Sequence, residues 1–400
     1  MKNNSIAKIV KECLCCGCGI CTMICHKHAI SMERNVAGFI VSSIDNGKCV
    51  NCGKCLGVCP KGEILQIRYG KKEAVDQNAE IKKVYNHVKG GYLCHSADEA
   101  IRKSSQSGGA VTAILQYMID HSIIDEAYIN QFENNLNTNK MVKAVSLDDL
   151  IRGAGSYYSQ SSIEKCIGHD NSAAVVLGCQ STGLKRLEKE KTTIPKYLIG
   201  LFCGGNFSGK YYEKLEGKYR NDSVEQFRFR DKKYGGWPGN VSFSVNGMTV
   251  VVDKSVRMKE KEAYLCSSCD YCKERINSAS DLAVGDPWGI FSADVERGYS
   301  VILTYTKQGD DIVKNAIKDG YIVGKEIPHE AILKGQDVNI EYYVRYKKRV
   351  ANEVGKRESI RLRLRKRVYR SSNIIGYQMN LFVFRAYEQF LQFARLMRRR

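Results

Sequence analysis

Two ladders of four cysteines near the N-terminus constrain this chain more than any other feature. The first ladder comprises Cys15, Cys18, Cys21 and Cys25, and the second comprises Cys49, Cys52, Cys55 and Cys59, followed by Pro60. This is the spacing of bacterial iron–sulfur sequences, in which the fourth cysteine of each ladder ligates the other cluster. The spacing therefore predicts two [4Fe–4S] clusters. One would be held by Cys15, Cys18, Cys21 and Cys59, and the other by Cys49, Cys52, Cys55 and Cys25.

The main alternative for these cysteines is structural zinc, which pairs of the C-x2-C type also bind. A zinc site needs two such pairs, whereas this chain repeats a whole four-cysteine ladder, so we favour iron–sulfur. His26 stands where proline usually follows the fourth cysteine, but proline is not a ligand, and the ligand set is unaffected. Gly17, Gly19 and Gly53 suit the tight turns that such loops need, because glycine adopts positive φ without strain.

The length and composition of the chain limit the number of domains and the cellular compartment that we expect. The 400 residues are enough for two or three domains. The start of the chain has no apolar signal segment, and no uncharged apolar run is long enough to span a bilayer, so we expect a cytoplasmic protein. In that reducing compartment, clustered cysteines are metal ligands or catalysts more often than disulfides.

After a polar stretch, the sequence pattern changes and predicts alternating strands and helices. The segments 173–179 and 197–203 read as strands, each followed by a helix, which is the pattern of an α/β domain. Cys179 and Cys203 fall where these strands end, and ligands bind at such ends in open α/β sheets. Residues 220–256 read as β-hairpins, with Asn246-Gly247 as one turn.

The segment 103–120 predicts a helix with a possible anion site at its start. Ser105 or Ser107 can cap a helix whose apolar face runs through Val111, Ile114, Leu115 and Met118. Gly108 and Gly109 would leave backbone N–H groups open at the positive end of the helix, where a cofactor phosphate could bind. The alternative is an ordinary capped helix.

A third group of cysteines, Cys266, Cys269 and Cys272, repeats the three-cysteine spacing without a fourth member. The missing ligand must come from elsewhere, and Cys203 and Cys179 are the candidates. The alternative is a zinc site built from the same residues. A third [4Fe–4S] cluster is the better prediction in a chain that already carries two ladders, because it extends an electron path.

Taken together, the motifs resemble known proteins. Residues 1–68 resemble the two-cluster bacterial ferredoxins. The segments SQSGGAVTAIL, LGCQSTGL, GLFCGGNFSG and CSSCDYC…SDLAVGDPWG occur in the order found in the coenzyme F420 hydrogenase/dehydrogenase beta-subunit family. This resemblance implies a flavoprotein with FAD beside a [4Fe–4S] cluster. By position, it implies FAD contacts from Ser105, Gln106, Ser107, Gly108 and Gly109. It also implies a third cluster on Cys203, Cys266, Cys269 and Cys272. Asp286 is either a flavin contact or a turn-forming residue.

The predicted fold class is α+β, with a small ferredoxin-like domain, a larger α/β flavoprotein domain and a basic helical tail. The boundaries we expect are residues 1–68, a linker over 69–83, the flavoprotein domain over 84–340 and the tail over 341–400.

The function that follows from the resemblance is an FAD- and [4Fe–4S]-dependent oxidoreductase. It would pass electrons between a redox partner protein and a hydride-type partner, either a coenzyme F420-like deazaflavin or a small metabolite. A surface-polysaccharide intermediate is one such metabolite. The alternative is a non-catalytic subunit that only relays electrons in a larger complex. No individual catalytic residue can be assigned.

The net charge of +19 is concentrated in the tail. Residues 345–400 carry 17 Lys and Arg against three acids. Residues 374–398 have helical periodicity, with Val383, Tyr387, Phe390, Ala394 and Met397 on one face, and Arg385, Glu388, Gln392 and Arg395 opposite. A basic helix with aromatic residues on its apolar face favours peripheral contact with an anionic membrane. The alternative is a helix docked on the body or on a partner subunit. No nucleic-acid-binding module is visible, so we expect no nucleic-acid partner.

Overall fold

The structure is a computed structural model that describes residues 4–69, 77–133, 138–164, 169, 171–290, 295–336 and 359–397. The fold is α+β and begins with a ferredoxin-type module. This module contains α1 (Ala7–Lys11), α2 (Ile20–Met23), β1 (Ile30–Arg34), β2 (Ile40–Ile44), α3 (Lys54–Val58) and α4 (Gly62–Arg68). The strands β1 and β2 pair antiparallel, with Ile30 opposite Ile44. Apolar side chains such as Ile9, Leu14 and Ile64 pack around the ladder cysteines.

A mixed sheet of eight strands forms the centre of the molecule. Its strands are β3 (Gly90–Ser96), β4 (Glu126–Glu133), β5 (Thr138–Ala144), β6 (Ser172–Leu177), β7 (Tyr197–Leu201), β11 (Leu282–Gly285), β12 (Ser300–Thr304) and β13 (Ile322–Glu326). Their spatial order is β13-β3-β12-β11-β7-β6-β4-β5. The four inner strands β11, β7, β6 and β4 are parallel, while the flanking strands pair antiparallel. The carboxyl ends of the parallel strands therefore meet at one edge, where an α/β sheet binds its ligands.

Helices cover both faces of this sheet. They are α5 (Gln77–His87), α6 (Glu99–Ser104), α7 (Ala110–Asp120), α8 (Leu147–Arg152), α9 (Gly178–Lys189), α12 (Lys307–Lys318) and α13 (His329–Gly335). On one face, Ile114 and Met118 of α7 pack with Ile199 and Ile302. On the other face, Leu184 of α9 packs beside Ile20 of the ferredoxin-type module. The module is thus seated directly on α9.

A second sheet of three antiparallel strands follows the predicted hairpin pattern. It consists of β8 (Val224–Asp231), β9 (Asn240–Val245) and β10 (Met248–Val252), flanked by α10 (Lys210–Glu216) and α11 (Lys254–Glu260). Asn246 and Gly247 both have positive φ, as the tight turn between β9 and β10 requires. The helix expected after β7 starts only at Lys210, because Phe207 first forms bridges to Ser159 and Leu265.

Two helices form the described part of the tail, α14 (Ile360–Tyr369) and α15 (Ile374–Met397). The helix predicted over 374–398 is therefore present, and Val383, Phe390 and Met397 of its predicted apolar face are exposed. A second apolar set packs on the body. Tyr377, Leu381 and Phe384 are buried against the body. Arg385, opposite the predicted apolar face, donates to the hydroxyl of Tyr264. The helix docks on this side because the body offers polar partners there, and its other apolar residues remain exposed.

The domain boundaries stay predictions. Part of the expected linker, residues 70–76, lies outside the described residues, and α5 begins at Gln77.

Candidate functional site

The two ladders fold in the same way. Gly19 precedes α2 with φ of 80°, and Gly53 precedes α3 with φ of 81°. Each glycine therefore places the third cysteine of its ladder, Cys21 or Cys55, on a short helix. A Cβ atom at Gly19 would lie 3.1 Å from the backbone nitrogens of Ile163 and Glu164, so this turn also needs glycine to pack against the body.

The ladder thiols lie close to one another, and their division between two clusters stays a prediction. Cys21 lies near Cys15 and Cys59, and burial raises the pKa of its thiol. Cys18 also lies near Cys59. On the other side, a small cavity of about 20 Å³ is lined by Cys25, Cys49, Cys52 and Cys55. Neighbouring thiols and tight glycine turns are what a cubane cluster needs, so these residues fit the two implied [4Fe–4S] groups. Within the described residues, no three His, Cys, Asp or Glu side chains are arranged to hold a single metal ion.

The third set of cysteines lies between the module and the large sheet. Cys266, Cys269 and Cys272 lie on or beside a short 3-10 turn over Ser267–Tyr271. Cys203, just after β7, is close to Cys269 and Cys272, and burial together with these two thiols raises its pKa to about 12. A thiol of this kind needs a metal to become a thiolate. Cys203 thus lies beside this turn, and its role as the fourth ligand stays a prediction.

Cys179 and Cys16 also belong to this region. The Cys16 thiol lies within hydrogen-bonding reach of Cys179 and Cys18. Cys179 is in turn close to Cys272. No sequence motif marks Cys16, because its spacing fits neither ladder. Its position links the first ladder to the third set of cysteines.

A buried lysine stands among these thiols. Lys61 is 4% exposed, and its ammonium donates to the backbone carbonyl of Tyr271 at 3.4 Å. Burial opposes its charge, but the neighbouring thiols of Cys272 and Cys16 hold its pKa above the ordinary value. A buried cation persists only beside compensating negative charge. We therefore expect anionic sulfur beside Lys61, where the ferredoxin-type module meets the third set of cysteines.

A separate cavity of about 220 Å³ opens at the carboxyl ends of the parallel strands. Leu177, Leu201 and Cys203 line it from β6 and β7, and Asp286 lines it just after β11. Ser105, Gln106, Ser107 and Gly109 lie on its wall, and their assignment to an FAD site stays a prediction. The volume is below the roughly 300–1,000 Å³ of typical ligand pockets. The enclosed part therefore suits a ring system and not a whole dinucleotide.

Two details of the predicted FAD segment were wrong. The cap of α7 is Gly109, with φ of 80°, and no serine side chain caps the helix. The hydroxyl of Ser107 donates instead to the carbonyl of Tyr299. Gly108 does not leave its N–H open, because this group donates to the Ser300 hydroxyl at 3.2 Å. Gly108 is a packing residue, since a Cβ atom there would lie 2.6 Å from the Ser300 nitrogen.

Several buried polar atoms around this cavity have no partner among the described residues. They are Oε1 of Gln106, Oδ1 of Asn139 and Oγ of Ser159. Each of these three residues lines the cavity and is less than a tenth exposed. Because buried polar groups in proteins are normally hydrogen-bonded, these atoms call for a polar ligand. The residues thus fit a heterocycle that carries N–H groups and carbonyls.

An ion pair fixes the rim of the cavity. Arg230 is buried and donates to Asp286 at 2.6 Å and to the hydroxyl of Tyr158 at 3.0 Å. The indole of Trp237 also donates to Asp286, at 3.3 Å. Gln106 completes the network by donating to Tyr158 at 3.1 Å. Of these residues, sequence reasoning found Asp286 and Gln106 but missed Arg230, Tyr158 and Trp237, because β8 and the loop after it are far from β11 in sequence.

Within the described part of the chain, no helix is both long and apolar enough to cross a bilayer.

Three family profiles match the chain. Residues 169–330 match the C-terminal part of the coenzyme F420 hydrogenase/dehydrogenase beta subunit. Residues 92–167 match the N-terminal part of the same protein. Residues 14–63 match a 4Fe-4S dicluster domain. The three matches follow one another along the chain and include both ladders.

Several curated proteins are similar to this chain. A coenzyme F420-dependent sulfite reductase of Methanocaldococcus jannaschii is 27% identical over 78% of this chain, which spans only 47% of that protein. A coenzyme F420 hydrogenase subunit beta of Methanothermobacter thermautotrophicus is 25% identical over 58% of this chain and 82% of its own length.

A solved structure of the F420-reducing [NiFe] hydrogenase complex from Methanosarcina barkeri contains a chain with a related fold. The TM-score is 0.50 at 21% identity, covering 70% of this chain and 92% of that one.

Proposed function

Because the chain belongs to the coenzyme F420 hydrogenase/dehydrogenase beta-subunit family, we propose that it is an FAD-dependent iron–sulfur oxidoreductase. Its 4Fe-4S dicluster domain and the family place it among electron-transferring proteins. The observation that carries the flavin assignment is the cavity in which Gln106, Asn139 and Ser159 present unpartnered polar atoms.

The cofactors would supply the electron chemistry. A bound flavin can exchange hydride with an organic partner and single electrons with a neighbouring cluster. We assign one cluster to Cys15, Cys18, Cys21 and Cys59, and one to Cys49, Cys52, Cys55 and Cys25. We assign a third to Cys203, Cys266, Cys269 and Cys272. Cys179 is the alternative to Cys266, whose thiol lies 3.6 Å from the carbonyl of Cys15 and so points toward the module.

The chain's own residues would orient the ring and exclude water from it. Leu177, Leu201 and Phe202 provide apolar walls at the strand ends. The Arg230–Asp286 pair provides fixed charges at the rim, and Tyr158 and Trp237 keep that pair in place. Cys203 lies both on this cavity and beside Cys269, so the ring site and the third cluster would share a wall. This arrangement supports direct electron exchange between them.

The hydride-side partner is the part of the proposal taken from the relatives. Several are named as F420-dependent enzymes or F420 hydrogenase subunits, so we propose a deazaflavin of this type. A small metabolite, including a surface-polysaccharide intermediate, stays a prediction of the sequence analysis. The second candidate function is an electron-relay subunit without a substrate. It is favoured by the names of several relatives, which are beta subunits of larger enzymes.

Anaerobic purification with analysis of iron, sulfide and flavin tests the proposal. Three cubanes and one flavin site predict about twelve irons and one FAD per chain. The isolated chain should also reduce a deazaflavin with a viologen dye as electron donor. Eight irons without flavin would support the relay function, and zinc in place of iron would contradict both.

The tail supports a further part of the proposal, contact with an anionic membrane surface. The face of α15 away from the body is apolar and exposed, with Phe382 exposed to 73%. Its other exposed members include Ile375, Met379, Phe390, Phe393 and Met397. Arg363, Arg367 and Arg370 are exposed on the adjoining α14. Co-sedimentation with anionic vesicles, but not with neutral ones, and its loss in Phe382→Glu would support this contact. A partner subunit on the same face would abolish the vesicle binding.

A further inference from the structure

The two sets of ladder cysteines differ in how deeply they are buried. The set assigned to the first cluster is buried throughout, namely Cys15, Cys18, Cys21 and Cys59. In the set assigned to the second cluster, only Cys55 is buried. Cys25 and Cys49 are half-buried, and Cys52 is exposed. The second set is therefore the one that lies nearer to solvent.

The rest of the chain does not cover this second set. Every residue that lines the small cavity beside it lies between Asn4 and Cys55. Within the described residues, neither sheet and neither tail helix contributes to that wall. The helix α14 meets the module elsewhere, at the end that contains Lys11 and Cys15. The outer side of the second set is thus open to another molecule.

The surface around this cavity is positively charged. Lys27 and Lys54 line it, both side chains are exposed, and no acidic residue lines it. Among the residues that the structure describes, neither lysine forms an ion pair with a carboxylate. Lys48, which precedes Cys49, is paired with Asp45 at 3.4 Å and adds no net charge. Two uncompensated cations therefore flank the exposed cysteine.

An exposed apolar side chain accompanies these cations. Val50 lines the same cavity and is 57% exposed. Asn51, between Val50 and Cys52, has a left-handed backbone with φ of 55°. An apolar contact with charged residues around it is a common arrangement at protein interfaces. The surface is small, as in the weak complexes of electron-transfer proteins, which bury less than about 1,200 Å².

We propose that Lys27, Val50, Cys52 and Lys54 form the docking surface for an acidic one-electron carrier protein. The inference rests on the proposed function, because it names the partner that exchanges electrons with the second cluster. Each transfer moves one electron between the carrier's cofactor and that cluster, and it neither breaks a bond nor moves a proton. Opposite charges speed the encounter of the two proteins. A permanent subunit would need a larger and more apolar surface.

The test uses the full-length, anaerobically loaded protein, with flavodoxin as a small acidic carrier. Stopped-flow absorbance gives the second-order rate constant for electron transfer from reduced flavodoxin. Calorimetry gives the Kd of oxidised flavodoxin. The variant is Lys27→Glu/Lys54→Glu. The control is Lys318→Glu/Lys325→Glu, which makes the same change in net charge on α12 and on the edge strand β13.

We expect the variant to lower the rate constant about tenfold at low salt and to raise the Kd about tenfold. Lys27→Gln/Lys54→Gln should have a smaller effect in the same direction. The control should behave as the wild type, and the iron content of all variants should be unchanged. With increasing salt, the wild-type rate should fall until it equals that of the variant, because salt screens exposed charges.

Three outcomes would overturn the inference. The first is a wild-type rate that does not depend on salt, and the second is an equal loss in the control. The third is a difference between wild type and variant that persists at high salt, since the lysines would then act on the cluster potential and not on docking. Should Lys27→Glu/Lys54→Glu lose iron, the Gln variant decides by the same criteria.

Two results separate this inference from the proposed function. If the wild type reacts with flavodoxin in a salt-dependent manner but binds no flavin and reduces no deazaflavin, the proposed oxidoreductase function fails and the docking surface stands. If it reduces a deazaflavin with a viologen dye, but its reaction with flavodoxin does not respond to Lys27 and Lys54, the function stands and the docking surface fails.

Discussion

The ladder cysteines and the third set of cysteines are assembled in different ways. Each ladder supplies three of its thiols from one short loop, shaped by a left-handed glycine and a short helix. The third set combines cysteines from separate elements, namely the turn at Cys266–Cys272 and the end of β7 at Cys203. Cys179, at the start of α9, and Cys16, of the ferredoxin-type module, lie beside this set. The first arrangement is local in sequence. The second exists only when the module, the sheet and the turn are packed together.

Because of this difference, mutations in the ladders and around the third set of cysteines should have different effects. A local loop needs few long-range contacts to bring its thiols together, whereas the third set depends on burial of groups such as Lys61 between two domains. Loss of a ladder ligand should therefore disturb only the ferredoxin-type module. Changes around Lys61 should instead alter electron transfer between that module and the third set of cysteines. The following predictions test that contrast.

The largest effect should come from removing a crossed ladder ligand. Cys59→Ala should abolish one whole cluster, which is about four of the twelve irons expected per chain. It should spare the cluster assigned to Cys49, Cys52, Cys55 and Cys25. Cys13→Ala is the control, since Cys13 is buried but lies outside the ladders. Iron analysis and electron paramagnetic resonance measure the outcome, and full iron content in Cys59→Ala would refute the crossed assignment.

The third set should respond to Cys203 and not to Cys179. Cys203→Ser should lose about four irons and retain the ladder clusters. Cys179→Ser should keep its iron, because Cys179 is not among the four ligands that we assign to the third cluster. Should Cys179→Ser lose the iron and Cys266→Ser keep it, the two residues exchange roles. Iron content and the visible spectrum of the reduced protein decide between them.

Lys61 should tune the clusters on either side of it. A buried positive charge stabilises a reduced cluster, which is more negative than the oxidised one. Lys61→Met should therefore lower a cluster reduction potential, by about 60 mV for a tenfold change in the one-electron equilibrium constant. Lys61→Arg keeps the charge and is the control. Potentiometric titration followed by electron paramagnetic resonance measures the shift, and an unchanged potential in Lys61→Met would remove this role.

The smallest effect should be a difference between two glycines of the module. Gly19→Ala forces a side chain into left-handed backbone and against the chain at Ile163, so it should destabilise the protein by about 1–2 kcal/mol. Gly57→Ala lies in α3 with no atom within 4 Å of its added Cβ, and should be neutral or stabilising by up to about 1 kcal/mol. Thermal loss of cluster absorbance compares them. Equal behaviour of the two variants would argue that the glycine turns are not required.

The parts of the site that could be predicted from the sequence are those with local signals. Cysteine spacing located both ladders and the turn at Cys266–Cys272, and β-branched runs located β6 and β7. The positive φ of Gly109 could not be distinguished from a serine cap, because Ser105 and Ser107 are equally good capping residues in sequence. Gly108 was misread for a related reason, since its closeness to Ser300 depends on a contact between distant strands.

The residues that were missed depend on packing across the whole chain. Nothing local marks Lys61 as buried, because its partner Tyr271 is 210 positions away. Arg230 and Tyr158 join Asp286 only after β8 folds over the sheet. The docked side of α15 was not predicted, because apolar residues surround the helix. The side that docks was selected by the Arg361–Glu388 pair and by Tyr264, which sequence periodicity does not contain.

The end of α14 packs over the ferredoxin-type module. Tyr369 donates from its hydroxyl to the carbonyl of Cys15, its ring packs against Phe39 at a tilt, and its own carbonyl accepts from Asn35. Arg370 reaches the carbonyl of Lys11. Domains generally begin to fold from the N-terminus during synthesis. In this protein, the ferredoxin-type module is translated before α14, which covers part of it. Iron delivered before α14 is made would therefore meet a more open module, and docking of α14 would cover it.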